Sequence, residues 1–282
     1  MVTTVRSFDS KYVKKELAKI DKALVEKTRI YITGGAVMAF AGLKIGTKDT
    51  DVIVESDKNL INLVLALSET EYYKVSGARL LPPYIDLSAT VLENTDGFRW
   101  DIFLKVVARK LFLSSGMRKR ATLMFQGKKL VAYRLSNEDV FLLKGVTERD
   151  RDLDDMYMIS RSGLKYETIY EECVYQSRES GRVWESALFG QCEDLRKKYD
   201  VQVPFLRKLR ELAEEKILQL NVLESIQRGA STKKAILDDF KGLLPEDLEF
   251  GLNLLVEHGK IAYSNNEIVL TDSGKKHKLR IP

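Results

Sequence analysis

Asp49 and Asp51 stand two residues apart in Lys48-Asp-Thr-Asp-Val-Ile-Val-Glu55, a run whose alternation reads as a β-strand. Residues i and i+2 of a strand share a face, so the two carboxylates lie side by side as like charges. Such a pair is unfavourable unless a cation neutralises it. Upstream, a short strand from Thr28 to Thr33 ends in Gly34-Gly35, which permits a tight turn with close backbone approach before a short helix, Ala36 to Leu43.

A metal that activates an attacking oxygen and clamps a leaving phosphate needs carboxylates from a second direction as well. Asp101, in the apolar-flanked strand segment Arg99-Trp-Asp-Ile-Phe103, is the best supplier. Three aspartates on neighbouring strands facing one cleft would make a site for Mg²⁺ or Mn²⁺, ions that prefer oxygen ligands and leave positions for substrate phosphates. Gly34 and Gly35 would then expose backbone N–H groups to a phosphate. On this reading the acids are tolerated because metal and a nucleoside triphosphate neutralise them.

Around this centre the periodicity predicts a mixed sheet flanked by helices, an α/β (α+β) arrangement. Val13, Leu17, Ile20 and Leu24 mark a helix over Lys11 to Glu26, capped near Ser10, and Leu60 to Leu67 reads as another. Further strands are expected at Tyr72–Ser76, Thr90–Leu92, Arg99–Val107, Ala121–Phe125 and Leu130–Arg134, with a turn at Gln126-Gly127-Lys128. After Ser136, an N-cap with Asp139 three residues later, helices Asn137–Val146 and Arg151–Ser160 follow. Tyr166–Lys198 and Pro204–Leu218 read as helical, broken at Val201-Gln-Val-Pro204. Leu220–Arg228, Thr232–Phe240 and Pro245–His258 are three helices, capped by Ser231 and terminated at Gly229 and Gly259, before a hairpin over Lys260–Tyr263 and Glu267–Leu270. Three helices and a hairpin is the order of a winged helix. The expected organisation is a sheet domain over 1–163, a helical extension over 164–218 and a winged helix over 219–282.

With 282 residues and 44% apolar content the chain can build a full core, and its apolar runs are too short to span a membrane. No leader pattern is read at the N-terminus, so a cytoplasmic location is expected. Cys173 and Cys192 lack metal or redox spacing and read as ordinary reduced residues. The net charge of +5 is unevenly placed: Trp100 to Arg151 holds twelve Lys or Arg against five acids, a window of +7. Arg109, Lys110, Arg118, Lys119 and Arg120 in this window are the candidates for binding a polyanionic acceptor such as RNA, tRNA included; a solvated basic face is the plainer alternative.

The Gly-Gly pair, the Asp-x-Asp strand and the later strand Asp are followed by Leu135-Ser-Asn-Glu-Asp-Val-Phe-Leu-Leu-Lys144 and Arg149-Asp-Arg-Asp-Leu-Asp-Asp155. From Thr28 to Ile159 this pattern resembles the DNA polymerase β-like nucleotidyltransferase superfamily, and its later motifs resemble AbiEii-type toxins and related small nucleotidyltransferase-like proteins. The resemblance implies that Asp49 and Asp51 ligate metal, that Asp101 completes the site and helps activate the acceptor hydroxyl, and that Gly34 and Gly35 hold the triphosphate. It also implies that Lys144 contacts phosphate and that Asp152 is the Asp of the last motif. Thr50 stands where such proteins usually carry an aliphatic residue, and Gly35 where they carry Ser. Lys144 lies at the edge of an apolar stripe, where a long side chain can reach a cleft while its stem packs; a salt bridge to the acids near Asp152 is the competing role.

Two functions are therefore expected. One is Mg²⁺-dependent transfer of a nucleoside monophosphate to a hydroxyl of RNA or protein, in the setting of a toxin with an antitoxin partner. The other is a catalytically silent nucleotidyltransferase fold serving a nucleic-acid-binding regulator or scaffold. For the tail, DNA contact through Pro245–His258 competes with protein docking or homo-oligomerisation, because that helix carries Glu246, Asp247, Glu249 and Glu257 and no Lys or Arg.

Overall fold

Gly34, with φ of +66°, turns the chain from its first strand straight into a helix, and the rest of the sheet is arranged around that corner. The computed structural model describes residues 7–75, 89–147, 149–265, 267–276 and 280–281. The chain divides into two compact units, 1–172 with 195–201, and 173–194 with 202–282.

In the first unit the elements are α1 (Ser10–Ala23), β1 (Thr28–Thr33), α2 (Gly34–Phe40), β2 (Asp49–Val54), α3 (Asp57–Ser68), β3 (Tyr73–Lys74) and β4 (Ala89–Glu93). They continue with β5 (Arg99–Leu104), β6 (Val106–Val107), β7 (Leu111–Phe112), α4 (Ser115–Arg120), β8 (Thr122–Gln126), β9 (Leu130–Arg134), α5 (Asn137–Gly145) and α6 (Asp150–Ser160). Seven of the strands form one mixed sheet in the order β3-β4-β5-β2-β1-β9-β8. β1 runs antiparallel to β2 and parallel to β9, while β2 and β5 are parallel. The acid-bearing strands are thus central, and α/β with a mixed sheet flanked by helices is the fold.

Alternation in burial holds only at the acid end of β2, and beyond it the strand is covered on both faces. Val52, Ile53 and Val54 of β2 are fully buried, as are Trp100 of β5 and Ile30 and Ile32 of β1. Trp100 packs edge-on against Phe98, which meets Phe8 and Tyr12 in the same way. Burying such large side chains contributes roughly 1.5–3 kcal/mol each before entropy is counted, and the strand end carrying Asp49, Asp51 and Asp101 is held on this rigid base.

Several boundaries differ from the expected ones. The cap of α1 is Asp9, whose carboxylate accepts from the Tyr12 N–H at 2.8 Å, and the helix starts at Ser10. The helix α2 begins at the glycines themselves rather than at Ala36. The long strand expected over Arg99–Val107 is cut at Lys105, whose φ of +62° ends β5 and lets β6 pair with β7 as a separate hairpin. The short helix α4, capped by Ser114, holds the basic run Arg118-Lys119-Arg120 and was not expected as a helix. Ser76, the expected end of a strand, lies outside the described residues.

α7 (Tyr166–Ser180) and α8 (Trp184–Tyr199) replace the single helical stretch expected up to Lys198, because Gly181 at φ +67° breaks it. The second unit continues with α9 (Leu206–Gln227), α10 (Lys233–Asp239), α11 (Pro245–Glu257), β10 (Ile261–Ser264), β11 (Glu267–Leu270) and α12 (Asp272–Lys275). α9 is uninterrupted, so the helices expected over Pro204–Leu218 and Leu220–Arg228 are one, with Gln219 buried at the expected boundary. Val222, Leu223, Ile226, Ile236, Leu248, Leu252, Leu255, Ile261 and Ile268 form a core in this unit. Thr232, rather than the expected Ser231, caps α10 by accepting from the Ala235 N–H, and Pro opens α11. No helix among the described residues is long and apolar enough to cross a membrane.

Candidate active site

Register brings the site together. Thr33 of β1 lies opposite Asp51 of β2, and Asp51 lies opposite Asp101 of β5, so three oxygen-bearing side chains form a row across the centre of the sheet. Asp49, two residues before Asp51, faces the same side and stands opposite Arg99. The three aspartates all line one cleft of about 250 Å³. Its other walls carry Lys44, Lys48, Lys144, Arg149 and Arg151 against Asp152 and Asp155.

The first glycine is fixed by two independent constraints. Its φ of +66° disfavours any side chain, and a Cβ there would sit 2.0 Å from Asp51 Oδ2. The Asp51 carboxylate therefore lies directly against the backbone at Gly34. Gly35, whose Cβ would meet Thr47 Oγ1 at 2.9 Å, lines the cleft beside it. Thr47 in turn donates its hydroxyl to the Asp49 carbonyl at 2.7 Å, anchoring the start of β2.

Charge is poorly compensated along this row. Burial raises the Asp51 carboxyl well above the usual carboxylate range, and Asp49 and Asp101 push it further the same way, while Lys144 and Arg149 oppose this through charge alone. Asp101 is pushed up to about 6, chiefly by burial, with Arg99 pulling it down. Arg99 Nη2 donates to both Asp101 oxygens, at 3.1 and 2.9 Å. Across the ladder from Asp51, the Thr33 hydroxyl is buried without a hydrogen-bond partner among the described residues.

The cleft's carboxylates, with no His or Cys in the lining, suit a hard divalent cation, and the Thr33 hydroxyl lines the adjoining pocket that Asp51 shares. Asp49 and Asp51 are side by side for the purpose. Among the described residues, however, no three His, Cys, Asp or Glu side chains meet at metal-ligating spacing, and Arg99 engages the third acid.

Lys144 faces the cleft from α5, as expected, but its ammonium is held by Asp152 at 2.8 Å and Asp155 at 2.6 Å. Asp152 also accepts from the Thr147 hydroxyl at 2.6 Å, and Lys44 pairs with Asp155. The result is a chain of ion pairs along one wall, Lys44 to Asp155 to Lys144 to Asp152. Lys44, Lys48, Thr33, Thr47, Arg99 and Asp155 were not singled out from sequence. Asp155 and Arg99 had a signal, the first standing three residues after Asp152 on one helix face and the second two residues before Asp101 on one strand face; the others are placed by loop path and strand register, which local pattern does not reveal.

The basic candidates are not brought together at this cleft. Arg118 pairs with Glu55 at 3.0 Å, and Arg120 is engaged by two buried acids, Asp139 and Glu172. Lys119 is exposed on α4, and Arg109 and Lys110 lie in the β6–β7 turn, Arg109 at φ +58°. The cations that do line the cleft from the same window are Lys144, Arg149 and Arg151.

A mixed sheet with helices around it, acids on adjacent central strands and a glycine turn packed on one of them defines a nucleotidyltransferase-like protein. Residues 11–171 match the family model DUF6036, described as a nucleotidyltransferase of unknown function, and the chain belongs to that family. A general role in nucleotidyl transfer goes with that membership. The matched span contains every cleft residue named above from Gly34 to Asp155. No curated protein matches the chain.

Proposed function

We propose that the cleft binds a nucleoside triphosphate with Mg²⁺ or Mn²⁺ and transfers its nucleoside monophosphate to a hydroxyl of RNA, with a protein hydroxyl as the other acceptor. The observation that carries this reading is the row Thr33–Asp51–Asp101, with Asp49 alongside, facing a wall of lysines and arginines. An array of acids with raised affinity for protons is also an array with affinity for a metal cation. Asp49 and Asp51 would hold the metal, with Asp101 completing the set; when bound, it would neutralise these acids and polarise the phosphate.

The chain's own groups would do the remainder. Lys44, Lys48, Arg149 and Arg151 line the path for a triphosphate and would balance its charge as pyrophosphate leaves. Asp101, on the strand beside the Asp49/Asp51 pair, is the carboxylate placed to take the acceptor's proton. The acceptor oxygen bonds to the α-phosphorus, the bond to the pyrophosphate oxygen breaks, and the acceptor proton passes to Asp101. Arg99 would have to yield part of its hold on Asp101 for this role.

That same pairing is what favours the second reading, a catalytically silent fold acting as a nucleic-acid-binding regulator or scaffold: Arg99 on Asp101 and Lys144 on Asp152 and Asp155 leave the cleft partly self-neutralised. The order α9 end, α10, α11, β10, β11 supports a winged helix at 219–282, following a helical extension over 164–218. A toxin partnered by an antitoxin is the setting that the AbiEii-type resemblance supports. The deciding experiment incubates the protein with each α-labelled nucleoside triphosphate, Mg²⁺ or Mn²⁺, and total RNA or protein extract. Label entering RNA or protein, and lost in the Asp49→Asn/Asp51→Asn variant, supports transfer; label entering neither with any nucleotide supports the silent reading.

A further inference from the structure

The second unit has a cavity of its own, of about 850 Å³, lined by α7, α9, the residue before β10 and α12 with the residue that follows it. Its floor includes Val174 and Leu212, and four cations line it: Arg178, Lys216, Lys260 and Lys276. The one acid in the lining, Asp272, has Lys275 at 3.7 Å to offset it. Lys216 is fixed in the wall by Glu185, fully buried, at 2.6 Å, and the other Glu185 oxygen accepts from the Ser177 hydroxyl at 2.6 Å. An ammonium has three donors, and Glu185 takes one.

The remaining cations are less compensated. Lys260 bonds a neutral partner, the Ser273 hydroxyl, at 2.9 Å, and among the described residues no carboxylate pairs with Lys260 or Lys276. Arg178 has a partner in Glu179 at 3.2 Å, an exposed contact that contributes little. By contrast α11 presents Glu246 and Asp247 in its first turn, and its Glu249 pairs with Lys233, so it offers phosphates nothing.

The geometry points to this cavity, rather than α11, as a binding site for the sugar-phosphate backbone of a single-stranded nucleic acid. Cations reach it from three directions, and Ser273, whose oxygen accepts from Lys260, adds a hydroxyl of the kind that donates to phosphate oxygens. The apolar floor accepts the sugars or base edges between them. This inference goes beyond the transfer reaction and does not depend on it.

The test is fluorescence anisotropy of the full chain with short labelled single-stranded RNA and DNA of one sequence, across a salt series and without nucleoside triphosphate. Arg178→Gln/Lys276→Gln should weaken binding roughly tenfold and flatten the salt slope by about 1.4, since each lost single-strand phosphate contact removes about 0.7. Lys11→Gln/Lys15→Gln, on exposed positions of α1, should bind as the parent does. Circular dichroism checks that both variants are folded. Equal affinities for RNA and DNA would assign recognition to the shared backbone, and a preference for RNA would add a contact to the 2′-hydroxyl. The inference is overturned if the Arg178/Lys276 variant binds as tightly as the parent, if the α1 variant loses as much, or if poly-glutamate competes as well as RNA.

Discussion

The first unit buries acids in two places and treats them in opposite ways. At Asp139, the Arg120 guanidinium donates at 2.5 and 3.3 Å, the Ser136 hydroxyl adds a bond at 2.9 Å, and Glu172 takes the same guanidinium at 2.6 Å. Burial still raises the Asp139 carboxyl, but these hydrogen bonds oppose it. At Asp51 burial also raises the carboxyl, and there the neighbouring acids add to the rise, with cations acting only through charge. A buried acid answered by hydrogen bonds ties elements together; a buried acid left to repel its neighbours is suited to a charge that arrives from outside.

The largest expected effect is at the cleft. Asp49→Asn/Asp51→Asn should lower transfer by about three orders of magnitude or more, given the several kcal/mol a catalytic metal supplies, while the metal-free melting temperature holds or rises as repulsion is relieved. A large fall in melting temperature would make these acids structural, like Asp139. Arg120→Ala should show the reverse pattern: it strands two buried carboxylates, which costs roughly 3–5 kcal/mol of stability, while the protein that remains folded keeps its transfer rate per molecule. A denaturant titration alongside the labelled-nucleotide assay separates the two.

Lys144→Ala sits between these cases, because the lysine both faces the cleft and pairs with Asp152 and Asp155. A role on the leaving phosphate predicts transfer slowed by about two to three orders of magnitude, or roughly 2–4 kcal/mol, with Mg²⁺ binding retained; full activity with lost stability would leave only the salt bridge. The smallest effect is in pH. For Asp101 the folded-state pKa of about 6 lies above the unfolded value, so ionising it costs the fold, and its share of the metal-free stability should be lost as pH rises from about 4 to about 6. The size is on the order of 2–3 kcal/mol, read by urea denaturation at fixed ionic strength, and the slope should become shallower in Asp101→Asn, with what remains carried by Asp51 and Asp139.

The acid row was legible in sequence because a period of two puts Asp49 and Asp51 on one face whatever the sheet around them, and an acid amid Trp100, Ile102 and Phe103 is out of place unless used. The glycine turn was legible too, although its strictest requirement, the Asp51 carboxylate against Gly34, comes from strand pairing. Arg99 was within reach of the same rule, since it stands two residues before Asp101 on one face of β5, but its place opposite Asp49 comes only from the β2–β5 register. Arg120 looked like an open basic residue because its partners, Asp139 and Glu172, are 19 and 52 positions away in the chain. The merging of two expected helices into α9 shows the same limit, since no Gly or Pro lies between Leu206 and Gln227 to mark the boundary that composition suggested.

The central claim is that the unanswered acids await a metal, and Mn²⁺ binding tests it most directly because that ion is read by electron paramagnetic resonance without any need for turnover. Titrated at neutral pH, the parent protein should immobilise Mn²⁺, more tightly with a nucleoside triphosphate present, and the Asp49→Asn/Asp51→Asn variant should not, while Arg120→Lys should bind as the parent does. Equal Mn²⁺ binding by the parent and the double variant, or none by the parent with nucleotide present, would contradict the account.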